Sequence, residues 1–555
     1  MVREYIGARY VPKFMGTYDN TQEYEALCVV DNGSGTSYIT KIPTPAGTPL
    51  TDSTYWAIYG IANGAIINLQ NQIDEINAEY DFIKPEDYGA VGDGVVDDSD
   101  ALIACFNDVT TKKSIFLKGT YKLTRQIVVK PNTHVFGFGV GKIIDNYDIT
   151  GIAVMNDRAT FLINNIKNVV VDGVAFQGSG ALSAYIPKYL FLMQTAENCT
   201  FKNCSFTDYP GVGVIYARAS NYITVSHCYV KDYSRGAIEF TEGTSHSVIE
   251  YCSVIDGHET NTGNRYPIML CGYDQAYDSN NRAPQGEYIW CNGNFVYDTD
   301  PWWEGIDAHG GYNLFVTNNV VLNVASGISI FTNIDRGFSA DTVYVSNNDV
   351  YDTTTATSNP ANKYGNAFGG SRFRISNNRF RNGGKAYPDP LSANIFFDRG
   401  YSFTFDHNIV DGSYSRSMFF SGAFNVCIFD NNEIDAPTGG HAIAFNNGSA
   451  VSYGRMEFND NIFDGAGVTC EAPNSITVSY QHIKFARNYS VLPLTFENIA
   501  QIQCDKLTAV QIADTTVGQN GDICINANPA VGSPIGWIMT DSTQFHGTWV
   551  ALANL

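Results

Sequence analysis

One four-residue phrase returns through the middle of the chain: a polar or small residue, then Asn or Cys, then any residue, then an apolar one. It reads Asn203-Cys204-Ser205-Phe206, His227-Cys228-Tyr229-Val230, Tyr251-Cys252-Ser253-Val254, Gly293-Asn294-Phe295-Val296 and Asn318-Asn319-Val320-Val321. It continues as Asn347-Asn348-Asp349-Val350, Asn377-Asn378-Arg379-Phe380, His407-Asn408-Ile409-Val410, Asn431-Asn432-Glu433-Ile434 and Asp460-Asn461-Ile462-Phe463. Counted on the second position, the steps are 24, 24, 42, 25, 29, 30, 30, 24 and 29 residues. A period in this range marks stacked coils.

A unit this short cannot bury its own apolar face, so each must stack on its neighbours. Val, Ile, Phe and Tyr alternate with polar residues, which makes the unit strand-like. The expected fold is all-β, a right-handed parallel β-helix. An Asn at one fixed turn of every coil fits, because its amide tolerates left-handed backbone and bonds to the Asn above and below. The three Cys take that place in the first coils as small buried fillers.

At 555 residues the chain has room for several domains, yet one solenoid absorbs most of it. Gly reaches 51 residues against 19 Pro and charged residues are 16%, a composition suited to short strands and turns. The net charge of -22 argues against nucleic acid or anionic membrane as a partner, since both demand Lys and Arg. The 12 Cys form no compact framework. Reduced, buried thiols are expected, with a disulfide between stacked Cys the geometric alternative. No apolar run spans a membrane and MVREYIGARY has no signal-peptide core, so a soluble protein assembled in a cytoplasm is expected.

In chain order, residues 1–60 read as a small β module rich in aromatics: Tyr10, Phe14, Tyr18, Tyr24, Tyr38, Tyr55, Trp56 and Tyr59. The string Tyr24, Cys28-Val29-Val30, Gly35-Thr36-Ser37-Tyr38, Gly47-Thr48-Pro49-Leu50 and Tyr55-Trp56 resembles small modules of the chitin-binding type, which phage tail proteins also carry near the N-terminus. In so small a domain most of these rings are expected in its core, with sugar binding as the other role. Residues 61–81 change period: Ile66, Leu69, Ile73, Ile76 and Tyr80 form an a/d seam. Ile at both positions favours three strands, so a parallel homotrimer is predicted. A helix capping the solenoid entrance is the alternative.

Residues 85–107 contain Tyr88-Gly89-Ala90-Val91-Gly92-Asp93-Gly94-Val95-Val96-Asp97-Asp98-Ser99-Asp100-Ala101-Leu102. This string resembles the opening motif of the pectate lyase-like superfamily, whose members include many phage tailspikes and polysaccharide depolymerases. The resemblance implies a pectate lyase-like β-helix over 82–504, a polysaccharide substrate and a virion-tail or bacterial-surface location. Asp98 or Ser99 is placed to cap the following helix, and Asp87 and Asp93 suit the preceding turns. Residues 505–555 read as a separate β module that closes the last coil, strengthens a trimer or binds glycan.

The step of 42 implies an insertion, roughly His258 to Glu287, that builds a cleft on one face. Directly after it stands Asp300-Pro301-Trp302-Trp303-Glu304-Gly305-Ile306-Asp307-Ala308-His309. With Ile306 and Ala308 inward, strand alternation sends Asp307 and His309 to the outer face. Glu239 shares that face two coils earlier. Trp302 and Trp303 offer flat surfaces to sugar rings, or pack beneath the inserted loop.

Glu304 and Asp307, or either with Glu239, form a carboxyl pair for glycoside hydrolysis, with His309 tuning one of them. Gly305-Ile306-Asp307-Ala308-His309 is also similar to the Gly-Phe-Asp-Pro-His motif of mannuronan C5-epimerases and alginate lyases. That similarity implies polyuronate elimination or epimerisation by Asp307 and His309. Ala308 departs from the motif's Pro, and Glu304 stands in place of a catalytic Tyr, a group that Arg265 or Tyr266 would supply. An acidic cluster with no basic patch around it favours hydrolysis. A glycan-binding fibre that does not cut is the third reading. No phosphate loop, zinc-spaced Cys/His set or nucleophile elbow occurs, so no cofactor or metal is expected; calcium on surface carboxylates stays open.

Overall fold

The computed structural model describes residues 13–33, 36–61, 82–109, 114–179, 186–258, 265–272, 284–298, 304–332, 339–353, 364–383, 392–413, 415–435, 437, 440–445, 452–465, 468–471, 479–490, 496–497, 503–505, 507–509, 523–526, 534–542 and 547–554. The chain divides into two compact units, Met1–Phe82 and Ile83–Leu555. The heptad segment, with the coiled coil and trimer expected of it, lies outside the described residues. Among them, no helix is long and apolar enough to cross a membrane.

In the first unit the strands Lys13–Thr17, Cys28–Asp31, Thr36–Thr40 and Trp56–Ile61 make one sheet. Tyr24, Cys28, Val30 and Trp56 are buried together, with Tyr18, Tyr38 and Tyr55 packed against them. The two fully enclosed rings, Tyr24 and Trp56, meet edge to face at 5.4 Å. Most of these aromatics therefore serve the core, as a module of this size requires.

The second unit is a stack of parallel coils with three sheet faces. Strands such as Glu197–Lys202, Asn221–Ser226 and Ser247–Glu250 pair in register on the first face. Ile186–Gln194, Gly211–Arg218, Gly236–Thr241, Tyr266–Gly272, Glu304–Ala308 and Ser326–Ile330 pair in succession on the second. Ser205–Tyr209, Tyr229–Tyr233 and Ser253–Gly257 pair on the third. Inward residues form one continuous apolar core from Ile83 to Phe463. The helix Ser99–Asn107 covers the entrance, with Leu102, Cys105 and Phe106 turned into that core. Residues 99–107 thus supply cover of the kind a solenoid needs.

The Asn ladder is present, with one correction. The left-handed residue is the one before the ladder Asn: φ is +57° at Asn318, +56° at Asn347 and Asn377, and +55° at His407, Asn431, Asp460 and Arg487. That kink turns the chain between faces and aims the next side chain inward. Asn319 Nδ2 donates to Asn348 Oδ1 at 2.9 Å, Asn348 to Asn378 at 2.9 Å and Asn378 to Asn408 at 2.9 Å. The series ends in Asn461 donating to Asn488 at 3.0 Å, so a further coil follows the last clear repeat. Cys204, Cys228 and Cys252 are free and buried, and their thiols donate to Val171, Phe201 and Val225 carbonyls at 3.5, 3.6 and 3.5 Å. They fill the ladder position and take over part of its bonding.

Two further expectations change. Asp98 occupies the helix N-cap position without capping it; its carboxylate accepts from Val91 N at 2.7 Å and so ties the Gly-rich loop to the helix start. Asp93 does hold its turn, accepting from Val95 N at 2.8 Å and Val96 N at 2.9 Å. The segment 258–287 is not wholly an inserted loop, because its Tyr266–Gly272 stretch is the second-face strand of an ordinary coil. The surplus residues, 259–264 and 273–283, flank that strand and lie outside the described residues. Parallel pairing continues to Leu507–Ala509 with Ile523–Asn526, after which Pro534–Ser542 and Gly547–Asn554 form an antiparallel pair. The C-terminal strands belong to the same compact unit as the coils.

Candidate active site on the second face

The second-face strands carry two outward residues three positions apart. In Gly236–Thr241, Ala237 and Ile238 both face the core, so the strand bends and leaves Gly236 and Glu239 pointing outward together. The same spacing recurs in Ser326–Ile330, where Ser326 Oγ and Ser329 Oγ stand 2.8 Å apart. Stacking converts this into rows along the helix axis. Tyr216 pairs with Glu239, Glu239 with Met269, Met269 with Asp307, Asp307 with Ser329, Ser329 with Ala367, and Ala367 with Phe396.

Asp307 is therefore on the outer face, between Ile306 and Ala308 of the core. It is also fully covered, with 0% exposure, and so is Glu239 at 5%. An open groove was the expectation; the carboxylates instead form a screened row in which the Asp307 charge acts on Glu239. Burial raises the Glu239 carboxyl to about 7, helped by the Asp307 charge and opposed by Arg235. Glu239 Oε1 has no hydrogen-bond partner among the described residues. Strands in a sheet lie about 4.8 Å apart, which puts the Glu239 and Asp307 backbones about 10 Å apart across the intervening Met269.

His309 follows Asp307 by two residues and folds back on it, its Nε2 3.0 Å from Asp307 Oδ2. The imidazole side chain is 15% exposed, against 0% for Asp307, so it is the part of the pair nearer solvent. It is held between Tyr266, edge to face at 6.1 Å, and Phe331 at 4.9 Å. The buried Cys271 thiol beside this group is raised to about 11 by burial, a hydrogen bond from Gly286 N opposing.

Glu304, 6% exposed, lies at the start of the Asp307 strand and lines a pocket of about 200 Å³ with Ser326, Ser329, Tyr364, Phe396 and Asp398. Tyr364 and Phe396 stack at 3.9 Å to form one wall. Asp398 was not singled out from sequence. Burial raises its carboxyl, with Arg399 Nε at 3.0 Å opposing. Its signal is positional: continuing the register, Asp398 falls in the column of His309, two residues after the row that holds Asp307.

Of the other expected residues, Tyr266 joins the cluster through His309. Arg265 does not. It is 1% exposed and its Nη1 donates to Asp298 at 2.7 Å, an ion pair facing the core that closes the coil beneath Gly257. A substrate-binding role for Arg265 is therefore corrected to a structural one, since a buried pair loses heavily when either partner is drawn away. Trp302 and Trp303 lie outside the described residues. Among the described residues, no group of three or more His, Cys, Asp or Glu is arranged to hold a metal ion.

Residues 82–266 match the family described as rhamnogalacturonase A/epimerase, pectate lyase-like. No curated protein matches the chain in sequence. Among solved structures, the exopolygalacturonase of Thermotoga maritima is 14% identical with a TM-score of 0.40, covering 71% of this chain and 91% of its own. Tailspike protein 3 of bacteriophage CBA120 is 11% identical with a TM-score of 0.43, covering 98% and 86%. The DFA-IIIase of Arthrobacter chlorophenolicus A6 is 11% identical with a TM-score of 0.40, covering 66% and 98%. Likeness at this level carries no argument about chemistry. From its opening motif through its three-faced coils, the chain is an all-β parallel β-helix, and its residues 82–266 match a pectate lyase-like family model.

Proposed function

We propose that this protein is a polysaccharide depolymerase that hydrolyses an internal glycosidic bond at the second face of its coil stack. One observation carries the reading: Glu239 and Asp307 share a row two coils apart, and the first has its carboxyl raised to about 7. A general acid must hold a proton at working pH while its partner does not. Glu239 fits the acid, donating to the leaving oxygen. Asp307, held by His309, fits the base that activates water. A backbone spacing of about 10 Å, with Met269 between, is closer to the wide carboxyl separation of hydrolases that invert configuration than to the short one of those that retain it. Glu304 and Asp398 would then bind hydroxyls of the neighbouring sugar, with Tyr364 and Phe396 beneath its ring.

The test is a panel of purified bacterial and plant polysaccharides scored for reducing ends and for the anomeric configuration of the first product. Chain shortening with inverted configuration is expected, and Glu239→Gln and Asp307→Asn should each lower kcat at least a hundredfold. Retained configuration, or activity that survives both changes, overturns it. A glycan-binding fibre that does not cut would release no reducing ends even in the wild type.

One contact favours a second reading, polyuronate elimination or epimerisation: Tyr266 lies against His309, where such an enzyme needs a phenol beside its Asp and His. Absorbance from unsaturated uronide products would decide for it, because hydrolysis forms none. The broader proposal places this activity on a trimeric, tailspike-like protein at a virion tail or bacterial surface, resting on the heptad over 61–81. Light scattering giving a monomer at micromolar concentration would remove the trimer.

A further inference from the structure

A second cavity, of about 680 Å³, opens toward the N-terminal end of the coil stack between the segments 146–153 and 186–188. Its volume is that of a small-ligand site. It lies beside the same face as the carboxylate row. Lys188 sits next to Tyr189, which pairs with Gly213, and Gly213 pairs with Gly236 on the Glu239 strand. Two strand spacings separate that wall from Glu239 and four from Asp307, about 10 and 19 Å along the axis. That is the reach of a short oligosaccharide.

The lining is half apolar, with Ile149, Ile186, Pro187 and Pro210, and its polar groups are built in. Lys188 is 5% exposed and is pinned by Asp145 Oδ2 at 2.7 Å and the Tyr147 carbonyl at 2.7 Å. Asp145 neutralises it and itself accepts from Thr160 Oγ1 at 2.9 Å. Arg158 uses its Nε on the Ile152 carbonyl at 2.8 Å, and no hydrogen bond among the described residues takes its two terminal nitrogens. Asn146 has a buried Oδ1 that accepts no hydrogen bond among the described residues. Asp148 is turned to its own loop, accepting from Thr150 N at 2.9 Å and Thr150 Oγ1 at 2.7 Å. What the wall leaves unsatisfied is a guanidinium fork and an amide oxygen. A carboxylate matches the fork and a hydroxyl matches the amide, on a ring whose C–H faces suit the Ile and Pro surfaces.

We infer that this cavity is a distal subsite for a carboxylate-bearing sugar of the glycan chain that runs on to Glu239 and Asp307. The inference rests on the depolymerase reading for its direction, since the cavity gains a purpose in cleavage only if the chain is drawn past both. It also tells against the substrate being wholly neutral. The acidic row that discourages a polyanion at the cleavage point and a cationic fork some coils away together fit a glycan with spaced acidic residues.

The test uses the full chain and oligosaccharides of four to six sugars in matched pairs, one containing glucuronate or galacturonate and the other its neutral hexose. Binding is measured by calorimetry or ligand-observed NMR on wild type, Arg158→Gln, Ala153→Glu and Glu239→Gln, the two cavity variants first shown to melt as the wild type does. Ala153 is an exposed residue of the cavity rim, so a carboxylate there opposes the ligand without disturbing packing. The acidic member should bind wild type and Glu239→Gln at least tenfold more tightly than the neutral one, and both cavity variants should erase that preference. A preference that survives both variants, equal affinity for the two members, or no binding by either overturns the subsite. Loss of preference in the cavity variants together with an uncleaved substrate would uphold the subsite and overturn the hydrolase.

Discussion

Glu239 folds back over Gly236 so closely that a Cβ added at residue 236 would stand 1.5 Å from Glu239 Oε1. The glycine is the floor on which the raised carboxyl rests. Its Cβ would also meet the Val212 carbonyl oxygen at 2.8 Å, so the carboxyl is the softer of the two obstacles.

Gly236→Ala should therefore push the Glu239 side chain off its position while leaving the coil stack folded. A displacement of about 1 Å at a catalytic group costs on the order of a hundredfold. The expected result is a kcat loss of ten- to a hundredfold, a KM changed much less and a lowered melting temperature, because the Val212 backbone at 2.8 Å must also give way. Full activity in the alanine variant would show that Glu239 does no chemistry in the position it occupies.

Glu239 also ties stability to pH. Burial raises its folded carboxyl to about 7 from its ordinary value of 4.5, so between those values the folded chain keeps a proton that the unfolded chain has lost. Stability must then fall as pH climbs from about 4.5 to 7 and stay low above, by about 3 kcal/mol for this group. Glu239→Gln cannot ionise. It should melt at a higher temperature than wild type at pH 8 and at nearly the same temperature at pH 4, and a variant less stable at pH 8 would refute the burial argument. Wild-type activity should decline on the alkaline side near pH 7 as the acid loses its proton.

The coils were readable because a solenoid writes its period into the chain: the ladder Asn, the alternating apolar residues and the opening motif each repeat or stand in fixed order. Asp307 and His309 were legible through simple alternation about Ile306 and Ala308. What alternation missed is the bend that places two inward residues side by side, Ala237 with Ile238, and so brings residues three apart to one face. The closeness of Gly236 and Glu239, and the pairing of Ser326 with Ser329, follow from that bend and have no signature in a period of two. Tyr266–Gly272 was hidden because its surrounding segment was read only as surplus length. Asp398 belongs to the site through stacking across three coils, a relation visible only once register is known.

The Asp307 and His309 pair separates the two chemistries. In hydrolysis Tyr266 is a ring that holds His309 in place at 6.1 Å, so Tyr266→Phe should keep at least a third of the wild-type kcat. In elimination the phenol itself moves a proton, and the same change should cost a hundredfold or more. A large loss in Tyr266→Phe with unsaturated products would transfer Asp307 and His309 from water activation to proton abstraction.

The ladder makes a prediction about stability that is independent of the site. Asn378 is fully buried, donates to Asn408 Oδ1 at 2.9 Å and the Val345 carbonyl at 2.9 Å, and accepts from Asn348 N at 2.9 Å and Nδ2 at 2.9 Å. Asn378→Ala would leave donors and acceptors of two adjacent coils unpaired in the core, at about 1–3 kcal/mol for each group stranded. Asn378→Cys should be milder, because Cys228 shows that a thiol at the same position reaches the carbonyl of the preceding coil, at 3.6 Å. The expected order of denaturant midpoints is wild type, then Cys, then Ala, with the largest losses of amide-exchange protection in the coils around residues 348 and 408. Neighbouring coils share the bonds and end coils do not, so the damage should spread both ways along the stack and fade toward its ends. If Ala proves as stable as Cys, the ladder bonds contribute little and side-chain volume alone accounts for the conserved turn geometry of these coils.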